Sequence, residues 1–88
     1  MIVTIEISHY PLQETYERPI LAFIEELKHP SVIVRTTAMS TYVKGEIADV
    51  FDRVKAAISR SSEEAALSST VFKLIPKDLP IEDGYMEF

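Results

Sequence analysis

The sequence contains no cysteine and no tryptophan, and its only glycines are Gly45 and Gly84 among 88 residues. Without cysteine, the chain has no disulfides, no thiolate metal sites and no cysteine catalysis. Two isolated glycines cannot form a glycine-rich phosphate loop. Basic residues are also few, since nine Lys and Arg stand against fourteen Asp and Glu and give a net charge of −5. That balance argues against nucleic-acid and anionic-membrane partners, which favour basic surfaces.

Long apolar runs are missing too, and no stretch approaches the roughly 20 residues needed to span a bilayer. Thr4 and Glu6 interrupt the first apolar residues and no basic residue precedes them, so we expect no signal peptide and a cytoplasmic protein. The composition is typical of one globular domain, which we place at residues 1–76, with an acidic C-terminal tail at 77–88. A chain this short buries only about 60–65% of its unfolded surface, so oligomerisation would help to stabilise it.

The clearest pattern present is the alternation along Ile2–Leu12. Val3, Ile5 and Ile7 alternate with polar residues, and a period of two predicts a half-buried strand whose odd residues face a core. The even residues carry hydroxyls, a carboxylate and a phenol. Such a face suits a small polar ligand or a second subunit.

Two helical patterns and three more β-rich segments follow. The helices are predicted over Gln13–His29 and from Ile47 to Ile58, and the strands over Ser31–Thr37, Met39–Glu46 and Ala66–Ile75. The second helix has its apolar stripe at Ile47, Val50, Phe51, Val54 and Ile58, and a polar break at Ser59–Glu64 follows it.

The resulting order is β-α-β-β-α-β, which predicts an α+β, ferredoxin-like two-layer sandwich with a four-stranded antiparallel sheet. Two helices should cover one face of the sheet. The other face should be open, and must therefore be polar, covered by a ligand or buried by another subunit.

Signals for catalysis are weak. His9 and His29 are the only histidines, and neither has a Ser or Cys partner at a recognisable spacing. His9 fits a structural or rim position better than a general base. No histidine cluster indicates a metal, and we predict no cofactor. Glu6 is unusual in a strand interior, and two readings of it are equally weighted: a ligand partner, or an ion pair with Lys44 or Lys73.

Hydroxyl-bearing residues collect on the first strand and around the connection between the second and third. The explanation that requires no binding site is that Thr favours strands and that exposed sheet faces are polar. The alternative is a ligand site. Its candidate residues are Glu6, Ser8, Tyr10, Thr37, Met39, Ser40, Thr41 and Phe72.

Two short segments stand out: Ser8-His9-Tyr10-Pro11-Leu12, and Thr36 through Met39-Ser40-Thr41. Tyr16, Ile20 and Phe23-Ile24 lie between them, and Gly45-Glu46 follows them. In this order and spacing, they resemble the YkoF-type family of thiamin- and hydroxymethylpyrimidine-binding proteins. The resemblance covers roughly residues 3 to 75. It implies a ferredoxin-like fold, a ligand pocket associated with the sheets, and binding without established catalysis. The family pattern has Asn where this chain has Thr37. A hydroxyl cannot form the bidentate pair of hydrogen bonds that the NH2 group and oxygen of an amide can form.

The resemblance implies that the protein binds a pyrimidine-containing ligand, thiamine or hydroxymethylpyrimidine, as a carrier or sensor. A carboxylate such as Glu6 and hydroxyls such as Ser40 and Thr41 could pair with an aminopyrimidine edge, and Tyr42 or Phe72 could stack on the ring. Some family members carry two tandem domains, so this single domain would form a homodimer or homotetramer.

Two alternatives from other classes stay open. One is a small dimeric α+β enzyme of the monooxygenase or isomerase type, which would use His9 or Glu6 as a base in a hydrophobic cavity. The other is a purely structural homo-oligomerisation domain whose open sheet face is only an interface.

Overall fold

The computed structural model describes residues 1–37 and 39–81. The elements along the chain are β1 (Ile2–Pro11), α1 (Glu17–Leu27), β2 (Ile33–Thr36), β3 (Thr41–Glu46), α2 (Ile47–Ser61) and β4 (Ser68–Ile75). Residues 82–88 of the predicted acidic C-terminal tail lie outside the described residues.

The strands form one antiparallel sheet in the order β2-β3-β1-β4. The first strand is therefore central, with β3 on one side and β4 on the other. Together with the β-α-β-β-α-β order, this confirms the predicted ferredoxin-like, α+β class.

The core lies between the sheet and the two helices, as the alternation in β1 predicts. Val3, Ile5 and Ile7 are at most 2% exposed. They pack in one cluster with apolar residues of both helices and of β3, which are Phe23, Leu27, Val43, Val50, Val54 and Ala57. Burying each large aliphatic side chain is worth about 1.5–3 kcal/mol, so this single layer supplies most of the driving force for folding.

The second helix is longer than predicted and runs to Ser61, so the first residues of the predicted polar break are helical. The reason is that Ser61 is not a surface residue. Its side chain is fully buried, and its hydroxyl lies 3.1 Å from the Pro19 carbonyl oxygen in the first turn of α1. The predicted strands are one to three residues longer in total than the observed ones, with the largest difference at β2.

The second helix also carries more apolar surface than the core uses. Val50, Val54 and Ala57 are buried, at spacings of four and three residues. Phe51 and Ile58, predicted in the same stripe, are 44% and 41% exposed. They lie one position further along the helix, about 100° around its axis, and therefore form a separate outward stripe.

The sheet face away from the helices, here called the open face, is half covered by the chain itself. The expectation of a fully open face is therefore wrong. Thr4 and Lys44, although on this face, are 4% and 7% exposed. The C-terminal segment, residues 76–81, crosses over them, and Ile81 at its end is 2% exposed.

Polar contacts hold the C-terminal segment in place. The Thr4 hydroxyl donates to the Lys77 carbonyl oxygen at 2.8 Å and accepts from the Leu79 N–H at 3.2 Å. The Lys44 ammonium donates to the Asp78 carboxylate at 2.6 Å and to the Leu79 carbonyl oxygen at 2.7 Å. A lysine can be buried at this depth because these acceptors replace its water.

We predict that Thr4→Val lowers the free energy of unfolding by about 1–3 kcal/mol, since it removes two hydrogen bonds and leaves the Leu79 N–H without its partner. Urea unfolding measures the loss, and amide exchange at Leu79 should accelerate. Ser69→Ala, at an exposed position of β4, is the control and should change little. Equal stability of Thr4→Val and the unmodified protein would contradict the role given to this hydroxyl.

Candidate functional site

A cavity of about 290 Å³ lies at the end of the sheet where β1 finishes and β3 begins. Helix α1 supplies an apolar wall, while the strands and the loop before β3 supply polar groups. We call it the sheet-end cavity. Its lining residues are Ile7, Ser8, His9, Tyr10, Ile20, Phe23, Ile24, Thr37, Met39, Ser40 and Thr41.

Six of the eight predicted site residues line this cavity. Two come from the end of β1 and four from the loop and the start of β3: Ser8, Tyr10, Thr37, Met39, Ser40 and Thr41. They meet because β1 and β3 are antiparallel neighbours, with Ile7 opposite Thr41. Residues as far apart in the sequence as Ser8 and Ser40, 32 positions, thus lie on one rim.

The structure places Glu6 and Phe72 elsewhere. Glu6 is on the open face, opposite Tyr42 and Lys73 in the sheet register. Its carboxylate lies 3.8 Å from the Lys73 ammonium and 3.5 Å from the Tyr42 hydroxyl. This is the ion-pair arrangement weighed from the sequence, with Lys73 as the partner, while Lys44 pairs with Asp78.

Glu6, Tyr42 and Lys73 line a second, smaller cavity of about 130 Å³ beneath the C-terminal segment. Phe72 lies in neither cavity. It is on the helix-covered face of β4, where its ring makes an edge contact with Phe51 at 5.9 Å between centroids.

The serine hydroxyls in the sheet-end cavity are loosely held. The Ser8 and Ser40 hydroxyls are 3.5 Å apart, and Ser40 is also 3.4 Å from the Ile7 carbonyl oxygen. Good O–H···O hydrogen bonds are 2.5–3.0 Å long. Both hydroxyls therefore retain donor and acceptor capacity that a ligand can use.

Thr37 is used differently, because its hydroxyl is fully engaged within the loop. It donates to the Ser40 carbonyl oxygen at 3.1 Å and accepts from the N–H groups of Met39 and Ser40, each at 3.2 Å. A short hydroxyl side chain that closes such a turn fixes the loop backbone. Thr37 thus positions Ser40 and has no donor left for a ligand.

His9 also lines the cavity, although the sequence pattern indicates only a structural or rim residue. Its ring stacks on Phe23 with centroids 4.1 Å apart and planes 10° from parallel. Its Nδ1 is 2.8 Å from the Thr70 hydroxyl and its Nε2 is 2.7 Å from the Ser61 hydroxyl. These contacts agree with the structural role, because both ring nitrogens are occupied.

The hydrogen bonds of Ser61 determine the tautomer of His9. A carbonyl oxygen can only accept, so the Ser61 hydroxyl must donate its proton to Pro19. It therefore accepts from His9 Nε2–H, which leaves Nδ1 of the neutral ring to accept from the Thr70 hydroxyl. Burial lowers the pKa of His9 below its ordinary value of 6.5, because the charged form would lose its hydration.

None of the residues that line the sheet-end cavity carries a carboxylate, an ammonium or a guanidinium group. The described residues also contain no cluster of three or more metal-ligating side chains. The polar groups available are hydroxyls, backbone and one neutral imidazole. Chemically, the cavity can hydrogen-bond an uncharged polar edge and enclose an apolar ring.

Ile20, Phe23 and Ile24 are the cavity residues that the sequence does not reveal. Their spacing reads as a core stripe, and Phe23 is indeed 2% exposed. They reach the cavity because α1 lies beside the end of β1, where Phe23 stacks on His9. The resemblance pattern contains these residues, but periodicity alone gives no signal that distinguishes cavity lining from core.

The fold and the cavity define a small ferredoxin-like domain with a pocket between its first helix and the end of its sheet. The YKOF-related Family model matches residues 2–72. The chain therefore belongs to the YkoF-related family.

Solved structures of several other proteins are similar to this chain. A Thermotoga maritima protein, provisionally named a thiamine biosynthesis/salvage protein, is 22% identical with a TM-score of 0.82, over 97% of this chain and 96% of that one. A Streptococcus pneumoniae protein is 22% identical with a TM-score of 0.80, over 94% of each chain. A Bacillus cereus domain of unknown function is 24% identical with a TM-score of 0.77, over 98% of this chain and 88% of that one. At this level of sequence identity, the similarity to these structures shows the fold alone.

No curated protein sequence matches the chain. Within the described ranges, neither helix is long and apolar enough to cross a membrane.

We predict that His9 makes folding stability depend on pH. Its pKa is lower in the folded than in the unfolded chain, so the unfolded chain binds more protons as the pH falls below about 6.5. The contribution of His9 to the free energy of unfolding is complete above that pH. It decreases as the pH falls, until the pH is below the pKa of His9 in the folded chain. One proton limits the slope to about 1.4 kcal/mol per pH unit.

Urea unfolding between pH 7.5 and 5 tests this, since all carboxylates contribute equally to the variants compared. His9→Gln should show a shallower pH slope than the unmodified protein, whereas His29→Gln, which changes an exposed histidine bonded to Ser31, should keep the slope. Parallel curves for all three proteins would contradict the prediction.

Proposed function

We propose that this protein binds a pyrimidine-containing small molecule of thiamine metabolism, thiamine or hydroxymethylpyrimidine, with its uncharged pyrimidine ring in the sheet-end cavity, as a carrier or sensor that does not transform it. The observation that carries the proposal is the cavity itself, which is lined by two weakly bonded serine hydroxyls and by apolar residues of α1, in a member of the YkoF-related family. The similarity to the Thermotoga maritima protein adds support, since that protein is provisionally named for thiamine biosynthesis or salvage.

The size of the cavity favours one ring over two. About 290 Å³ is at the lower limit of the range for small-molecule pockets, roughly 300–1,000 Å³. A substituted pyrimidine fills such a space. If thiamine binds, its thiazolium ring lies at the mouth, where Tyr10 is 53% exposed and Met39 is 86% exposed and where the cation remains hydrated or contacts the Tyr10 ring.

The polar groups match an aminopyrimidine edge. Such an edge presents an amine donor beside ring-nitrogen acceptors, and a hydroxyl can act as either donor or acceptor. Ser8 and Ser40 have only weak mutual contacts to give up. The exchange therefore costs little, and each new hydrogen bond contributes about 0.5–1.5 kcal/mol.

The apolar wall supports the flat faces of the ring. Ile20 and Ile24 line the cavity from α1, and aliphatic side chains pack well against an aromatic face. The ring of Phe23 already stacks on His9 on one side, so it offers its edge or its other face. Phe72 and Tyr42, considered as stacking partners from the sequence, lie outside this cavity.

A binding role is favoured over catalysis because the cavity lacks a free acid or base. His9 has both ring nitrogens hydrogen-bonded to Thr70 and Ser61. Glu6 does not line the cavity. The enzyme alternative, which needs one of these groups as a base beside the ligand, would require the His9 hydrogen bonds to break.

We expect isothermal titration to give saturable binding of hydroxymethylpyrimidine, with an affinity within about tenfold of that for thiamine, because the cavity offers no charge to the thiazolium cation. Ser8→Ala and Ser40→Ala should each weaken binding about three- to tenfold, the equivalent of one hydrogen bond. Ser69→Ala removes a hydroxyl from β4 outside the cavity and is the matched control.

Glu6→Gln distinguishes binding in the sheet-end cavity from binding in the smaller cavity of the open face. It should leave the affinity unchanged if the ligand occupies the sheet-end cavity. Loss of binding in Glu6→Gln, with Ser8→Ala and Ser40→Ala unaffected, would move the site to the open face, as the sequence hypothesis for Glu6 implies. No binding of either compound at millimolar concentration would contradict the proposed ligand class.

A further inference from the structure

The sheet-end cavity offers hydroxyl donors but no cation to a ligand. None of the described residues that line it is a lysine or an arginine. Two basic residues lie within two positions of a lining residue in the sequence, and both are placed elsewhere. Arg18 of α1 donates to the Glu64 carboxylate at 3.3 Å, and Arg35 of β2 lies opposite Tyr42 in the sheet register.

The backbone N–H groups of the loop before β3 are also unavailable to an anion. Anion sites without a cation are built from free backbone N–H groups, as in nests and at helix N-termini. Here the Thr37 N–H donates to the Ser40 carbonyl oxygen at 2.8 Å, and the N–H groups of Met39 and Ser40 donate to the Thr37 hydroxyl. The described part of the loop therefore uses its own donors.

The beginning of α1 supplies no anion site to the cavity. Its first turn contains Glu17, whose negative charge opposes an anion there, and Pro19, which has no N–H. The Ile20 N–H donates to the Tyr16 carbonyl oxygen at 3.2 Å. Ile20 is also the first residue of α1 in the lining, so the N–H groups that precede it belong to residues outside the cavity.

A phosphate ester of the ligand would bring a large negative charge to the mouth of the cavity. The carbon that carries the hydroxyl in hydroxymethylpyrimidine carries the thiazolium ring in thiamine, so an ester places its phosphate beside Tyr10 and Met39. That group has about 1.5 to 2 negative charges at pH 7, and the chain itself has a net charge of −5. A charged group that loses water without gaining a charged partner binds poorly.

We propose that the sheet-end cavity accepts free hydroxymethylpyrimidine and excludes its phosphate ester, so that phosphorylation of the ligand is the reaction that empties the protein. This rests on the proposed function, because it concerns the same ligand in the same cavity. The reaction is that of a separate kinase. The hydroxymethyl oxygen bonds to the γ-phosphorus of a nucleoside triphosphate, the bond from that phosphorus to the nucleoside diphosphate breaks, and the hydroxyl proton passes to solvent.

A carrier with this selectivity delivers its ligand by mass action. As the kinase consumes the free alcohol, bound ligand dissociates to restore the equilibrium. The ester that accumulates does not compete for the cavity. A sensor with the same selectivity reports the unphosphorylated pool alone. The protein thus stands before a phosphorylation in the reaction sequence and not after it.

Isothermal titration of the full chain with hydroxymethylpyrimidine and with its monophosphate tests the proposal. The ester should bind at least about tenfold more weakly than the alcohol, because it loses hydration without gaining a charged partner. Thiamine is the control for size. It carries a larger and cationic group on the same carbon, and it should bind within about tenfold of the alcohol.

A cation introduced at the mouth should reverse the exclusion. Met39 is 86% exposed and lines the cavity, and Met39→Arg should raise the affinity for the ester about tenfold, since a guanidinium forms charge-assisted hydrogen bonds with phosphate. Leu21→Arg is the matched control. It adds the same charge at a position of α1 that is 61% exposed and outside the lining, and it should leave the preference for the alcohol unchanged. Circular dichroism confirms that both variants are folded.

The outcomes separate this proposal from the proposed function. Saturable binding of the alcohol with equally tight binding of the ester would overturn the exclusion and leave the proposed function intact. Failure of the alcohol, the ester and thiamine to bind would contradict the proposed function and this inference with it. Equal gains for the ester in Met39→Arg and Leu21→Arg would assign the effect to net charge, and would overturn the role given to the cavity lining.

Discussion

The imidazole of His9 joins four elements at the end of the sheet where the cavity opens. It belongs to β1, bonds Thr70 of β4 and Ser61 of α2, and stacks on Phe23 of α1. Ser61 in turn reaches the Pro19 carbonyl oxygen at the beginning of α1. Because the neutral ring satisfies every member of this network, it holds α1 against the end of the sheet, where residues of α1 line the cavity.

The two faces of the sheet consequently have different roles. On the helix-covered side, the core is closed at one end by His9 and opens beyond it into an uncharged cavity. On the open face, Glu6 pairs with Lys73 across strands, and Lys44 is held by Asp78 and Leu79 of the C-terminal segment. The cavity therefore has no charged side chain in its lining, which favours an uncharged ring inside it.

Periodicity predicts the elements well because each face of this small domain has a distinct environment. The alternation of Val3, Ile5 and Ile7 marks the core face without ambiguity. The same rule fails for α2, where Phe51 and Ile58 are apolar without being buried in the described chain. A pattern of apolar residues cannot distinguish burial in the core from burial against another molecule.

The site is predictable only in part, for a similar reason. The hydroxyl-bearing residues of the β2–β3 loop and of β1 meet because antiparallel pairing places them together, which the topology implies. Glu6 and Phe72 lie elsewhere because successive residues of a strand face opposite sides of the sheet. The Glu6 carboxylate lies on the open face, and the Phe72 ring lies beside α2. The contribution of α1 to the cavity, and the passage of residues 76–81 over Thr4, depend on packing that no local pattern encodes.

Methyl spectra during titration with hydroxymethylpyrimidine test the location of the site most directly. With isoleucine δ1-methyl labels, Ile7, Ile20 and Ile24 report on the sheet-end cavity, whereas Ile75 reports on the smaller cavity of the open face. The account predicts saturable shifts at the first three methyl groups and none at Ile75. Shifts at Ile75 with the other three unchanged would contradict it.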